Sequence, residues 1–75
     1  MMAEWVEIPA CRILLVPHAE FFSDYQAVNE KGDPMSTVSG VPYRIIRKTD
    51  GKVFKPARYR PVGSNRQKEF VLEEI

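Results

Sequence analysis

The chain has 75 residues, 44% of them hydrophobic, with 11 Lys and Arg against 10 Asp and Glu, a net charge of +1 and one cysteine. That length suits one domain near the lower limit for folding without staples, and the lone Cys11 excludes an intramolecular disulfide framework. The longest aliphatic run, Ile13 to Val16, stops at Pro17; it is too short for a signal peptide and far below the ~20 residues of a membrane-spanning helix, so a cytoplasmic protein is expected, in keeping with the cysteine usage.

In chain order, Trp5 to Ile8 and Arg12 to Val16 read as strands separated by a turn at Pro9, because Val, Ile and aromatic residues dominate both. His18 to Asp24 reads as one helical turn, with Pro17 suited to its first position. Tyr25 to Asn29, a turn through Glu30-Lys31-Gly32-Asp33, and Met35 to Val38 read as a hairpin whose second strand starts late at Pro34. Tyr43 to Lys48 and Val53 to Lys55 flank Thr49-Asp50-Gly51-Lys52; Asp-Gly is a preferred pair for a two-residue type I′ turn. The tail, 65–75, carries two signals. Ser64 and Gln67 resemble a capping box ahead of a helically spaced Phe70, Val71, Glu74 and Ile75, whereas Glu69 to Ile75 is short enough to close a sheet, and a final strand is the expectation. Six prolines leave little room for long helices. The fold expected is mostly β: a small antiparallel sheet or open barrel with at most one short helix.

A two-residue loop would set Arg47 opposite Phe54 and Ile45 opposite Pro56. Alternation then places Tyr43, Ile45, Phe54 and Pro56 on one face, the core candidate, with Arg47 and Lys52 at its rim. Arg44, Ile46, Lys48, Val53 and Lys55 fall on the other.

The modest net charge conceals a strong asymmetry. Residues 41–68 hold nine of the basic residues against Asp50 alone, so the segments 1–40, 41–68 and 69–75 carry −4, +8 and −3. In Lys55-Pro56-Ala57-Arg58-Tyr59-Arg60-Pro61 the prolines favour an extended backbone, which adds two arginines and a tyrosine to the hairpin's cations. Such a surface fits a charged partner. The candidate partner-binding residues are Arg44, Lys48, Lys55, Arg58, Tyr59 and Arg60, with Trp5 as a hot-spot anchor in an acidic N-terminal segment, either a sheet strand or a free arm. The same cations are equally suited to pairing with the acidic segments inside the fold, or to blunting strand edges.

Catalysis finds no constellation here. Cys11 and His18 are the only pair resembling an activated thiolate, and a lone cysteine beside an aliphatic strand is ordinarily a small hydrophobe. The Cys, His and carboxylate spacing fits neither a closed zinc site nor an EF-hand loop, and there is no glycine-rich phosphate loop. The expectation is a non-enzymatic binding protein without a cofactor: a regulator or inhibitor docking on a larger protein assembly, for example a nucleic-acid enzyme such as RNA polymerase. The alternative is a nucleic-acid-binding domain using the 41–68 surface, with cations on phosphates and Tyr59 on bases.

Overall fold

The structure, a computed structural model, describes residues 3–60 and 68–75. Six strands form one antiparallel sheet that does not close: β1 (Glu4–Ile8), β2 (Cys11–Pro17), β3 (Tyr25–Val28), β4 (Arg44–Arg47), β5 (Val53–Pro56) and β6 (Glu69–Glu74). Their spatial order is β1-β2-β6-β5-β4-β3. The first two strands are joined by the tight Pro9-Ala10 loop, with Ile8 opposite Cys11. β6 then lies between β2 and β5, with Leu14 opposite Leu72 on one side and Phe54 opposite Glu74 on the other. The tail is therefore a strand; the capping-box residues Ser64 and Gln67 lie outside the described residues.

The one helix among the described residues, α1 (His18–Asp24), follows β2 directly. Two turns are too few to be stable alone, and α1 is held by the face it buries. Phe21 is buried, stacked on Phe70 at 4.0 Å between ring centroids and parallel to Tyr25 at 5.7 Å. Pro17 sits one position earlier than the sequence reading put it. Its ψ of 145° makes it the residue before the helix, where its ring ends the β2 ladder without costing α1 a hydrogen bond. At the other end Tyr25 is already extended, its N–H donating back to the Phe21 carbonyl. No helix among the described residues is long and apolar enough to cross a membrane.

One sheet face and α1 enclose the core: Leu14, Val16, Phe21, Tyr25, Ile45, Phe54 and Leu72, with Ala3, Trp5 and Phe70 packed at its margin. Burying each large side chain contributes about 1.5–3 kcal/mol, most of it offset by the entropy of ordering so short a chain.

Two expectations about pairing change. The β4–β5 loop has four residues, 48–51, so that Ile45 faces Phe54 and the Arg47 N–H donates to the Lys52 carbonyl. A two-residue I′ turn would need positive φ at Asp50, and among the described residues only glycines have it, Gly51 at +74° included. Instead the Asp50 carboxylate accepts the Lys52 N–H and both nitrogens of the Arg47 fork. The register moves by two, an even slip, so every side chain keeps the face assigned from sequence. Tyr43 is the exception: it lies outside β4 and is exposed.

The second change is the partner of β3. The sequence pairs it with 35–38, but its ladder runs to β4, Tyr25 opposite Arg47 and Val28 opposite Arg44. Residues 34–35 contribute a Val28–Pro34 bridge, a Met35 N–H to the Ala27 carbonyl, and a Met35 carbonyl that accepts from the Gln26 side-chain amide. Past them the chain turns on itself, with the Val38 N–H on the Ser36 hydroxyl and the Ser39 N–H on the Ser36 carbonyl. Serine that satisfies nearby backbone competes directly with strand pairing.

Candidate binding surface

Arg44 and Arg47 stand on β4, whereas Lys52, Lys55 and Arg58 are placed by β5 and the segment that follows it, which the Ala57 N–H ties to the Val71 carbonyl of β6. Pairing β5 with β6 brings them against the acidic tail. Neighbouring residues on a strand point to opposite faces, so Glu73 and Glu74 supply one carboxylate to each side of the sheet.

On one side stands Glu73, directly opposite Lys55 and buried, its side chain only 2% exposed. Its Oε2 lies 3.0 Å from the Lys55 ammonium and 3.6 Å from the Arg58 guanidinium, and the Arg58 backbone N–H donates to Oε1 at 3.4 Å. The Lys55 hydrogen bond, the Arg58 N–H and the two positive charges hold this carboxyl below its usual range, against the opposing effect of burial. Cys11 sits by the same carboxylate. Burial, then the Glu73 charge and its hydrogen bond, push the thiol up.

On the other side, Glu74 is 3.1 Å from Lys52 and 3.7 Å from Arg12. Arg12 also reaches Glu7 at 3.6 Å and lies 4.0 Å over the Trp5 ring. The Lys52 ammonium is 5.3 Å from the centroid of the same ring, which lies tilted against Phe54 with 6.0 Å between centroids. Trp5 is thus a strand residue at the core margin, under two cations, and Glu4–Ile8 is a sheet strand rather than a free arm.

Of the seven residues singled out from sequence, Lys55 and Arg58 share Glu73, although the Arg58 side chain remains 70% exposed. Arg60 is partly buried, and Arg66, counted among the cations, lies outside the described residues. Tyr59 is exposed beside Arg58, with 5.8 Å between ring and guanidinium. Arg44 donates to the Tyr43 carbonyl at 2.7 Å and lies 4.2 Å over the Tyr43 ring. Lys48 is exposed, with no ion pair among the described residues.

The sequence reading missed one group. Val38 is 93% exposed, Val41 83% and Tyr43 48%, all in the loop between β3 and β4. Beside them is an open crevice of about 680 Å³, lined among others by Asn29, Asp33, Met35 and Pro42. The signal was two valines set among Ser, Gly and Pro, a composition that makes loops and leaves apolar side chains without a strand to bury them.

Cys11 and His18 do not meet. They bracket the extended β2, which at about 3.3 Å per residue holds them roughly 20 Å apart, and His18 packs on Phe70 with 4.6 Å between centroids. Comparisons with protein-family models, curated proteins and solved structures find no match to this chain.

Proposed function

We propose that the protein is a non-enzymatic regulator or inhibitor that docks on a larger protein assembly, with RNA polymerase as the example to test. The observation that carries this reading is the exposure of Val38, Val41 and Tyr43 in one loop, next to Arg44 and within the same small fold as Lys48. An apolar loop that ends at a cation, Arg44, suits a protein surface with an acidic patch; Lys48 extends the charge at the far end of β4, its N–H on the Asp24 carbonyl. Lys52, Lys55 and Arg58 are already matched by Glu73 and Glu74, which weakens the field a polyphosphate would feel.

Nucleic acid is the second reading, favoured by the two exposed tyrosine–arginine neighbours, Tyr43–Arg44 and Tyr59–Arg58. Ring and guanidinium together form a surface on which a base can stack.

Two titrations separate them: purified core RNA polymerase, and labelled single- and double-stranded nucleic acid over a range of salt. Docking on protein predicts saturable polymerase binding that V38S/V41S and R44E/K48E each weaken about tenfold or more, about 1.4 kcal/mol, with thermal stability unchanged. Absent polymerase binding, together with micromolar nucleic-acid binding that falls steeply with salt, overturns it for the second reading.

A further inference from the structure

An open sheet has two edges, and here they differ. The outer edge of β3 is partly covered, by the Val28–Pro34 bridge and the Met35 N–H on the Ala27 carbonyl. The outer edge of β1 has no backbone partner among the described residues.

The hydrogen-bonding phase of β1 follows from its hairpin. Ile8 and Cys11 close the two-residue loop, so Ile8, Val6 and Glu4 direct their backbone groups inward to Cys11, Ile13 and Leu15. Trp5 and Glu7, between them, direct N–H and C=O outward. Two residues that both point out, two apart, match themselves under a two-fold rotation centred on Val6. Trp5 then faces Glu7 of the other copy in two equivalent hydrogen-bonded pairs, which satisfies all four donors and acceptors.

The side chains agree with that register. Val6 meets Val6, Glu4 meets Ile8 and Glu7 meets Trp5, so no acid stands directly opposite an acid. Arg12 lies 4.0 Å over Trp5 and 3.6 Å from its own Glu7. A second Glu7 placed opposite Trp5 comes within reach of the same guanidinium, so two arginines and two glutamates form one neutral group across the seam. On the opposite face the half-buried Val6 and Ile8, beside Leu15, gain apolar cover.

We propose that β1 pairs antiparallel with β1 of a second copy about a two-fold axis at Val6, joining two six-stranded sheets into a continuous one. Self-association also adds the burial that so short a chain lacks alone.

The test is the mass in solution from micromolar to millimolar concentration, measured by sedimentation, for the wild type and Glu7→Pro. The Glu7 N–H points outward, so proline removes a bond to the second copy and leaves the β1–β2 ladder intact. A dimer in the wild type and a monomer in Glu7→Pro is the expected result. A wild type monomeric throughout, or a dimer that persists in Glu7→Pro, overturns the proposal. Oxidative cross-linking tests the register without proline. In a Cys11→Ser background, Val6→Cys sets two sulfurs across a non-hydrogen-bonded pair, about 4.5 Å between Cα atoms and within disulfide reach. Val6→Cys should link into dimers while Glu4→Cys stays monomeric; equal or reversed yields overturn the register.

Discussion

Lys55 and Glu73 face each other across the β5–β6 ladder, ammonium to carboxylate at 3.0 Å, with the acid shielded from water and the lysine a third exposed. Part of the charge of 41–68 is thereby matched inside the fold, and the pair has measurable consequences.

Glu73→Gln should lower the stability at neutral pH by about 1–3 kcal/mol, the range for leaving buried polar groups poorly matched. The 3–5 kcal/mol typical of a broken, fully buried pair is not expected, because Lys55 and Arg58 can turn to solvent. The sign of the pH dependence follows from the lowered carboxyl. Its contribution is complete above the unfolded value of 4.5 and is lost as the pH falls through the lower, folded value. Urea midpoints measured from neutral pH into acid should fall for the wild type and fall less for Glu73→Gln.

Asp50, bound by the Arg47 fork and the Lys52 N–H, has its pKa lowered from 3.8 to about 2. Arg47→Ala should return the Asp50 carboxyl towards 3.8 in an NMR titration. It should also speed amide exchange at Lys52, whose N–H depends on that carboxylate. An unchanged titration would mean that the loop backbone, not Arg47, holds Asp50 ionised.

Phe54 is fully buried, touching Trp5 and Tyr25 and bordered by Arg47 and Lys52. Phe54→Ala should cost about 3–5 kcal/mol, comparable to the whole stability of so small a domain. Thermal unfolding should lose its cooperative transition. Val38→Ser, fully in solvent, should stay within about 0.5 kcal/mol of wild type.

Cys11 should react slowly. With its thiol pushed up by burial and by Glu73, less thiolate is present at neutral pH, and thiolate is the reactive form. A chromogenic disulfide reagent should modify native protein more slowly than the urea-unfolded chain.

The elements that local chemistry dictates were legible in sequence. Trp5 to Ile8 and Arg12 to Val16 have strand composition around a proline turn; Pro17 ends β2 directly ahead of α1. The division of the hairpin faces also survived, since alternation is insensitive to an even register shift. What sequence could not supply was pairing. Whether Tyr25 to Val28 joins 35–38 or 44–47 depends on local bonds to Ser36, one to its hydroxyl and one to its carbonyl, that compete with a ladder. The candidate surface suffered in the same way: that Lys55 and Arg58 are matched internally becomes visible only when β6 is known to lie beside β5. The apolar loop at 38–43 is hard to see in sequence because its two ends, Val38 and Tyr43, have the composition of strand residues.

The sheet order has a kinetic reading. Hairpin β1–β2 and the meander β3–β4–β5 share no ladder of their own; β6, last of the strands in the chain, joins them by pairing with both. A chain emerging from a ribosome therefore carries two unfinished half-sheets, each with a raw inner edge, until the keystone arrives. Loop closure over that span is the slow part of such a topology. Deleting residues 69–74 would not trim this molecule; it would split it.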